Sequence, residues 1–211
     1  TVHAALNPGA ATTGTTTICT GGDPANITVA GGTSPGAGIS YLWQTSTNDL
    51  DPWTSTGATT EAYNPVAGSQ TTDLYYRRVI IRRDAGGNEL CRAESGSVLV
   101  SLNSVSAGSV TTTLNTICNG VIPPPITELG SASGDGTVTY QWVQSTRPNS
   151  SAAWSIWSNA PGGAAAQLTD YQPIALTQDT RFSRGVISTN GALTCSVSST
   201  EVIISVLSAI S

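Results

Sequence analysis

The sequence predicts an all-β protein made of two tandem β-sandwich domains, residues 1–105 and 106–211. The first observation behind this is an internal repeat of about 100 residues. Thr17-Ile18-Cys19 returns as Thr116-Ile117-Cys118, and Tyr41-Leu42-Trp43 as Tyr140-Gln141-Trp142, both at an offset of 99. Trp53 returns as Trp154, Tyr63-Asn64-Pro65 as Tyr171-Gln172-Pro173, Arg78 as Arg184 and Cys91 as Cys195, at offsets drifting between 101 and 108 as loop insertions require. The second observation is a succession of short β-branched and aromatic runs separated by Gly, Pro, Asn and Asp. The third is that no window of about 11 residues or more carries a helical period.

Strand runs in the first half cover Thr15–Ile18, Asn26–Ala30, Ile39–Thr45, Leu74–Arg82 and Ser97–Leu102. Those in the second half cover Val110–Ile117, Pro125–Leu129, Val138–Gln144, Thr180–Ile187 and Glu201–Leu207. Turn formers divide them, among them Gly31-Gly32, Ser34-Pro35-Gly36, Asp84-Ala85-Gly86-Gly87 and Ser133-Gly134-Asp135-Gly136. The Ala-rich stretch Gly163–Leu168 could form one helical turn, but its flanking Gly pair and Pro161 favour an irregular loop. Alternation places Tyr41 with Trp43, and Tyr140 with Trp142, on the core face of their strands. The series Tyr76, Arg78, Ile80 matches Phe182, Arg184, Val186 and is expected to face inward. That leaves Arg78 and Arg184 half-buried, each pairing with a carboxylate or backbone carbonyls. Asp73 and Asp179 recur as plausible partners or turn caps.

Composition narrows the partners. The net charge is −5, and all 8 basic residues are Arg. Their only cluster, Arg77, Arg78, Arg82 and Arg83, lies on a strand that sends them to both faces, so no basic stripe for nucleic acid is expected. No apolar run is long enough to cross a bilayer, and no leader with a basic start and apolar core opens the sequence. Two cysteines per repeat at matching places suit an oxidising compartment. Their in-repeat spacings of 72 and 77 residues are far from the close pairs that zinc favours. The preferred reading is two bridges within the repeats, Cys19 with Cys91 and Cys118 with Cys195, with cross-repeat connectivities as the alternative.

A Cys, a Trp about 24 residues later, an aromatic-rich strand and a second Cys together resemble the immunoglobulin superfamily. The departure is that Cys19 precedes the second predicted strand and Cys91 follows the strand Leu74–Arg82, so the bridge should clamp one end of the sandwich. The phrases Thr-Ile-Cys-Thr-Gly, Tyr-Leu-Trp-Gln-Thr-Ser, Pro-Trp-Thr-Ser-Thr-Gly-Ala-Thr, Leu-Tyr-Tyr-Arg-Arg-Val-Ile and Cys-Arg-Ala-Glu-Ser resemble the immunoglobulin-like repeats of very large Bacteroidetes surface proteins. That group includes the gliding-motility adhesins secreted by the type IX system. The resemblance implies two immunoglobulin-like sandwiches, an extracellular, cell-surface location, a stiff array of such units, and a role in adhesion or display. Its implied partners are neighbouring repeats of the same long chain and a surface polysaccharide or protein.

Little in the chain suggests catalysis, cofactor or metal chemistry. The single histidine, His3, stands near a terminus, with no base-nucleophile arrangement around it. Asp49, Asp51, Glu61 and Glu89 have no acidic counterparts in the second half, which weakens a paired-carboxylate hydrolase. Asn48-Asp49-Leu50-Asp51 lacks the spacing of a strong calcium loop and reads as a turn. Asn26-Ile27-Thr28 and Asn149-Ser150-Ser151 match a glycosylation acceptor pattern. Trp157 is the tryptophan without a counterpart, Thr56 taking the aligned place, and is the candidate for surface binding of a sugar ring or protein. The expected function is a non-catalytic repeat of a large surface adhesin. The alternatives are a carbohydrate-binding module of a secreted enzyme and a structural filament component.

Overall fold

The computed structural model describes residues 5–32 and 36–207, so His3 and the Ser34-Pro35 turn lie outside the described residues. The chain divides into two compact units at Leu102/Asn103. The first contains β1 (Ala10–Thr13), β2 (Thr17–Cys19), β3 (Ile27–Ala30), β4 (Ile39–Ser46), β5 (Thr54–Ser55), β6 (Leu74–Arg83), β7 (Glu89–Glu94) and β8 (Val98–Asn103, whose last residue crosses the division). The second contains β9 (Val105–Ser106), β10 (Ser109–Thr112), β11 (Thr116–Cys118), β12 (Ile126–Gly130), β13 (Ser133–Gly134), β14 (Thr137–Arg147), β15 (Ser158–Asn159), β16 (Asp179–Asn190), β17 (Leu193–Ser198) and β18 (Val202–Leu207).

Both units are immunoglobulin-like β-sandwiches of the same plan. One sheet runs β2-β8-β6-β4-β5 with β7 also on β6, and its equivalent runs β11-β18-β16-β14-β15 with β17 on β16. Against each lies a small antiparallel pair, β1 with β3 and β10 with β12. An isolated bridge extends that pair, Ile27 to Tyr63 in one unit and Ile126 to Tyr171 in the other.

The recurring aromatics form the core between these layers. Trp43 and Trp142 are 0% exposed. Tyr63 stacks on Trp43 with ring centroids 5.8 Å apart and tilts toward Tyr76 at 5.9 Å. Tyr171 repeats this between Trp142 at 5.7 Å and Phe182 at 5.6 Å. Each indole N–H, which would otherwise be stranded in the core, donates to a loop carbonyl at 3.0 Å: Trp43 to Thr60, Trp142 to Leu168. The inward series on β6 and β16 is as the alternation predicts, with Tyr76, Arg78, Ile80, Phe182, Arg184 and Val186 all buried.

Some elements differ from the sequence reading. The run Val110–Ile117 is two strands, β10 and β11, because the chain crosses between sheets at Thr113-Leu114-Asn115. The strands β7 and β17 fall outside the runs read from the sequence: β7 is an exposed, polar-rich segment, and β17 alternates Leu193, Cys195 and Val197 with Thr and Ser. Gly163–Gln167 is a 3₁₀ turn, not an irregular loop: Gly162 and Gly163 take φ of 114° and 55°, and the turn drives Ala166 into the core.

Candidate functional site

The two arginines are buried more deeply than the expected half, at 2% for Arg78 and 0% for Arg184. A guanidinium can sit there because each donates to at least one acceptor and lies over an aromatic face, although the Nε of both is buried without a hydrogen-bond partner. Arg78 donates to the Glu61 carbonyl at 2.8 Å and lies 4.1 Å from the Tyr41 ring. Burial lowers the Arg78 pKa below its ordinary value, an effect that Tyr41 and Glu61 oppose. Arg184 donates to the Glu128 carboxylate at 2.8 Å, to the Thr169 carbonyl at 2.9 Å and to the Ala107 carbonyl at 3.0 Å. Burial would raise the Glu128 pKa, but hydrogen bonds from the Ala132 N–H and Arg184 outweigh it and hold the carboxyl below its ordinary 4.5. Asp73 and Asp179 are caps and not partners of these arginines: each accepts from a final-strand N–H at 2.8 Å, Leu102 and Val206 respectively. Asp179 also pairs with Arg147 at 3.2 Å.

Trp157 lies on the outer face of the large sheet in the second unit, and backbone register changes its assigned counterpart. Gln44 pairs with Ser55 and the equivalent Val143 pairs with Asn159, so Trp157, two residues before Asn159, occupies the place of Trp53. Trp154, not Trp157, is the tryptophan without an equivalent, and Leu50 stands at its position. The surroundings then explain a difference between the units. In the first, Arg77 lies 4.1 Å from the Trp53 ring and forms a 3.8 Å ion pair with Glu94. Register places Ser183 and Ser198 at the positions of Arg77 and Glu94. With two small residues there, a groove of about 350 Å³ opens beside Trp157, bordered by Val143, Ser199 and Glu201.

Trp157 is 38% exposed. Its ring is held by Arg181, which lies 4.5 Å from it and 4.9 Å from the Trp154 ring. Arg181 is itself anchored to Glu201 at 3.2 Å. Arg147 covers Trp154 at 4.4 Å. The result is a fixed aromatic face beside hydroxyls and one ion pair, a chemistry suited to stacking and hydrogen bonding with a polyol. A larger groove of about 690 Å³, along β14 and Gln167–Thr169, is lined by no charged residue. Among the described residues, no group of three or more His, Cys, Asp and Glu could hold a metal ion. Asn48-Asp49-Leu50-Asp51 is a turn closed on itself: Ser46 Oγ donates to Asn48 Oδ1 at 2.9 Å and to the Leu50 carbonyl at 2.8 Å.

The expected within-repeat disulfides are not formed. Cys19 and Cys195 are disulfide-bonded, whereas Cys91 and Cys118 are free and exposed. The sheet makes the expected pairs impossible. Cys195 faces Ser188 of β16, while Cys118 faces Leu207, beyond the Ile204–Thr180 pair at the other end of β16. Thr180 and Ser188 alone are separated by roughly 26 Å at about 3.3 Å per residue, against the roughly 7 Å that a disulfide tolerates between Cα atoms. The first repeat is built alike, Cys91 facing Arg82 and Cys19 lying beyond the Val100–Leu74 pair.

A solved structure of the three N-terminal domains of the bacteriophage RB49 highly immunogenic outer capsid protein is similar over 92% of this chain and 67% of that chain, with a TM-score of 0.47 and 11% identity. No curated protein matches the sequence. A domain family described as a domain of unknown function, DUF8696, matches residues 8–104 and again residues 106–208. The chain therefore belongs to this family and carries two copies of its domain in tandem.

Proposed function

We propose that the chain is a non-catalytic, extracellular repeat segment of a large bacterial cell-surface adhesin of the gliding-motility kind, where such domains supply length between the cell and a contact surface. The observation that carries this reading is what the two units share. The stacked aromatic trio, the buried arginine on its aromatic face and the aspartate cap recur. The polar groups on the outer face of the large sheet do not: Arg77 and Glu94 give way to Ser183 and Ser198. A repeat that preserves its interior and varies its surface is built for stacking in series, with adhesion arising from many weak contacts multiplied along the array. Its partners are then neighbouring repeats and a surface polysaccharide or protein. Calorimetry against a panel of polysaccharides and surface proteins, with hydrolase assays on the same panel, tests this. The expected result is no turnover and affinities no tighter than about millimolar. Turnover of any substrate refutes the reading.

A second reading, a carbohydrate-binding module, is favoured by the groove beside Trp157. Ser183→Arg restores the side chain that fills the corresponding site of the first unit, so it should close the groove, at the cost of the buried hydrogen bond from Ser183 Oγ to the Ser199 carbonyl at 3.0 Å. Micromolar binding of one glycan, lost in both Ser183→Arg and Trp157→Ala, would establish the module in place of the stalk.

A further inference from the structure

Strand β14 is fully paired on one side and only partly on the other. It faces β16 along its whole length, from Thr137 opposite Thr189 to Arg147 opposite Asp179, whereas β15 meets it only at Val143 and Gln144. The last bond on that second side runs from the Ala160 N–H to the Trp142 carbonyl at 2.9 Å. Pro161 follows with no N–H to donate, and Gly162, at φ 114°, turns the chain off the sheet into Gly163–Gln167. Alternation then fixes which groups are left over. Directly opposed residues of an antiparallel pair alternate between exchanging both hydrogen bonds and turning both away from each other. Trp142 and Arg184 are opposed and turned away. The Trp142 carbonyl accepts from Ala160, while on the far side of β16 the Arg184 carbonyl accepts from the Ser199 N–H and the Arg184 N–H donates to Ser199 Oγ, both at 2.9 Å. Tyr140 and Val138, opposite Val186 and Ser188, share that parity, so their N–H and C=O groups also point away from β16. Among the described residues no strand lies on that side to receive them.

We propose that this free edge, Val138–Gln141, accepts an extended, uncharged segment of a partner protein as an added strand. The groove of about 690 Å³ runs along these four residues and is walled by Gln167, Leu168 and Thr169. Its lining sets the chemistry of the occupant. The two N–H and two C=O groups recur at every second residue, roughly 6.6 Å apart at about 3.3 Å per residue, a spacing that the backbone of another strand matches. A strand laid there points alternate side chains toward Thr139, Gln141 and Ile187 on the outer face and toward Leu168, 58% exposed, on the other. No lining residue is charged, so a charged side chain of the occupant would lose water and gain no partner. Thr, Ser and Val suit both faces. The wall also favours a lone segment over the edge of a second copy, which would bring the same wall with it.

The first unit guards the equivalent edge, and the second does not. The Thr60 and Leu168 carbonyls both accept from the core indoles, and the Glu61 and Thr169 carbonyls both accept from the buried arginines, so Glu61 stands where Thr169 does. Glu61 is exposed and puts a carboxylate on the wall. The phenol of Tyr41, the counterpart of Tyr140, has its pKa raised by burial, against Arg78, and raised further by that carboxylate. A charge beside an open edge is an ordinary defence against strand addition. Thr137–Gln141 carries no charge, no proline and no bulge, and its wall ends in Leu168-Thr169.

The proposal depends neither on the chain being a stalk nor on the groove beside Trp157. Amide hydrogen exchange, read by NMR on the whole chain, tests it with acetyl-Thr-Val-Thr-Val-Thr-Val-Thr-amide as the added strand. The Val138 and Tyr140 amides should exchange freely in the protein alone. Excess peptide should slow both at least about tenfold, as for a site nine-tenths filled. The same peptide with its three central amides N-methylated should protect neither, because it keeps the side chains and loses the backbone donors. Thr169→Glu, which gives the second unit the charge found in the first, should return both amides towards their peptide-free rates while the Val186 amide, bonded within the sheet, is unchanged. Trp157→Ala should bind the peptide as the native protein does. Slow exchange without peptide that deepens with protein concentration would assign the edge to a second copy and overturn the proposal. So would an absence of slowing with the peptide, equal slowing by its methylated form, or undiminished protection in Thr169→Glu.

Discussion

Replacing Glu128 by Gln separates the two repeats experimentally, because the first has no carboxylate at this place: Val29 occupies the strand position that Glu128 has in the second. Arg184 is completely buried and has three acceptors, of which only Glu128 carries charge. Breaking a buried ion pair from one side costs about 3–5 kcal/mol. Here two carbonyl acceptors remain, and the Glu128 side chain is 24% exposed, so the expected loss is about 2 kcal/mol. For a domain of this size that lowers Tm by roughly 10 °C. Hydrogen exchange followed by mass spectrometry reads each unit separately, and the faster exchange should be confined to residues 103–207. The pH dependence has a definite sign. The folded pKa of Glu128 is depressed below 4.5, so its stabilisation is complete above that value and is lost as pH falls through the folded pKa. The gap between the native protein and Glu128→Gln should therefore narrow below about pH 4.5. An unchanged second unit at neutral pH, an equal loss in the first unit, or a gap that widens in acid would refute this account of the buried arginine.

Trp142→Ala removes the centre of the second core and should destabilise that unit by about 3–5 kcal/mol, with Trp43→Ala doing the same to the first, as read by urea unfolding of each variant. Burial raises the Tyr76 pKa to about 12, and those of Tyr41 and Tyr171 as well, so a spectrophotometric titration should show late-titrating phenols of which one vanishes in Tyr76→Phe. The folded state holds that proton longer than the unfolded chain, so the first unit should lose stability as pH rises from about 10 towards 12, and Tyr76→Phe should lessen the loss. Asp73→Ala strands the Leu102 N–H that it caps at 2.8 Å and should cost roughly 1–3 kcal/mol, measured as the shift in the first unit's unfolding midpoint.

The sequence shows the interior more plainly than the surface. Trp43, Tyr63, Tyr76 and Arg78 recur because each fills a place that the sandwich cannot leave empty, and recurrence made them visible. Glu128 was invisible for the opposite reason, since Val29 stands in its place and nothing in spacing ties it to Arg184. Trp154 and Trp157 lie three residues apart, and the smaller offset paired Trp53 with the wrong one. Only the hydrogen-bonded register of β15 against β14 decides it. The cysteines recur just as clearly, but treating a repeat as self-contained suggested bridges that a strand the length of β16 forbids. The groove beside Trp157 depends on Ser183 and Ser198, which are unremarkable serines until the sheet sets them opposite Arg77 and Glu94 of the other unit.

The pairing of β11 with β18 has a mechanical consequence. These strands, one near the start and one at the end of the second unit, run side by side and parallel, Thr116 opposite Ser205 and Cys118 opposite Leu207. Tension entering at the start of the unit and leaving at its end pulls the two strands past each other along their own axes. Their hydrogen bonds, evenly spaced in a parallel pair, then bear the load together instead of parting one after another from an end. The Asp179 cap on the Val206 N–H adds a charged acceptor within that same zone. Resistance to pulling is therefore concentrated in a seam three residues long, and it is governed by the barrier to shearing that seam, not by the equilibrium stability of the whole sandwich.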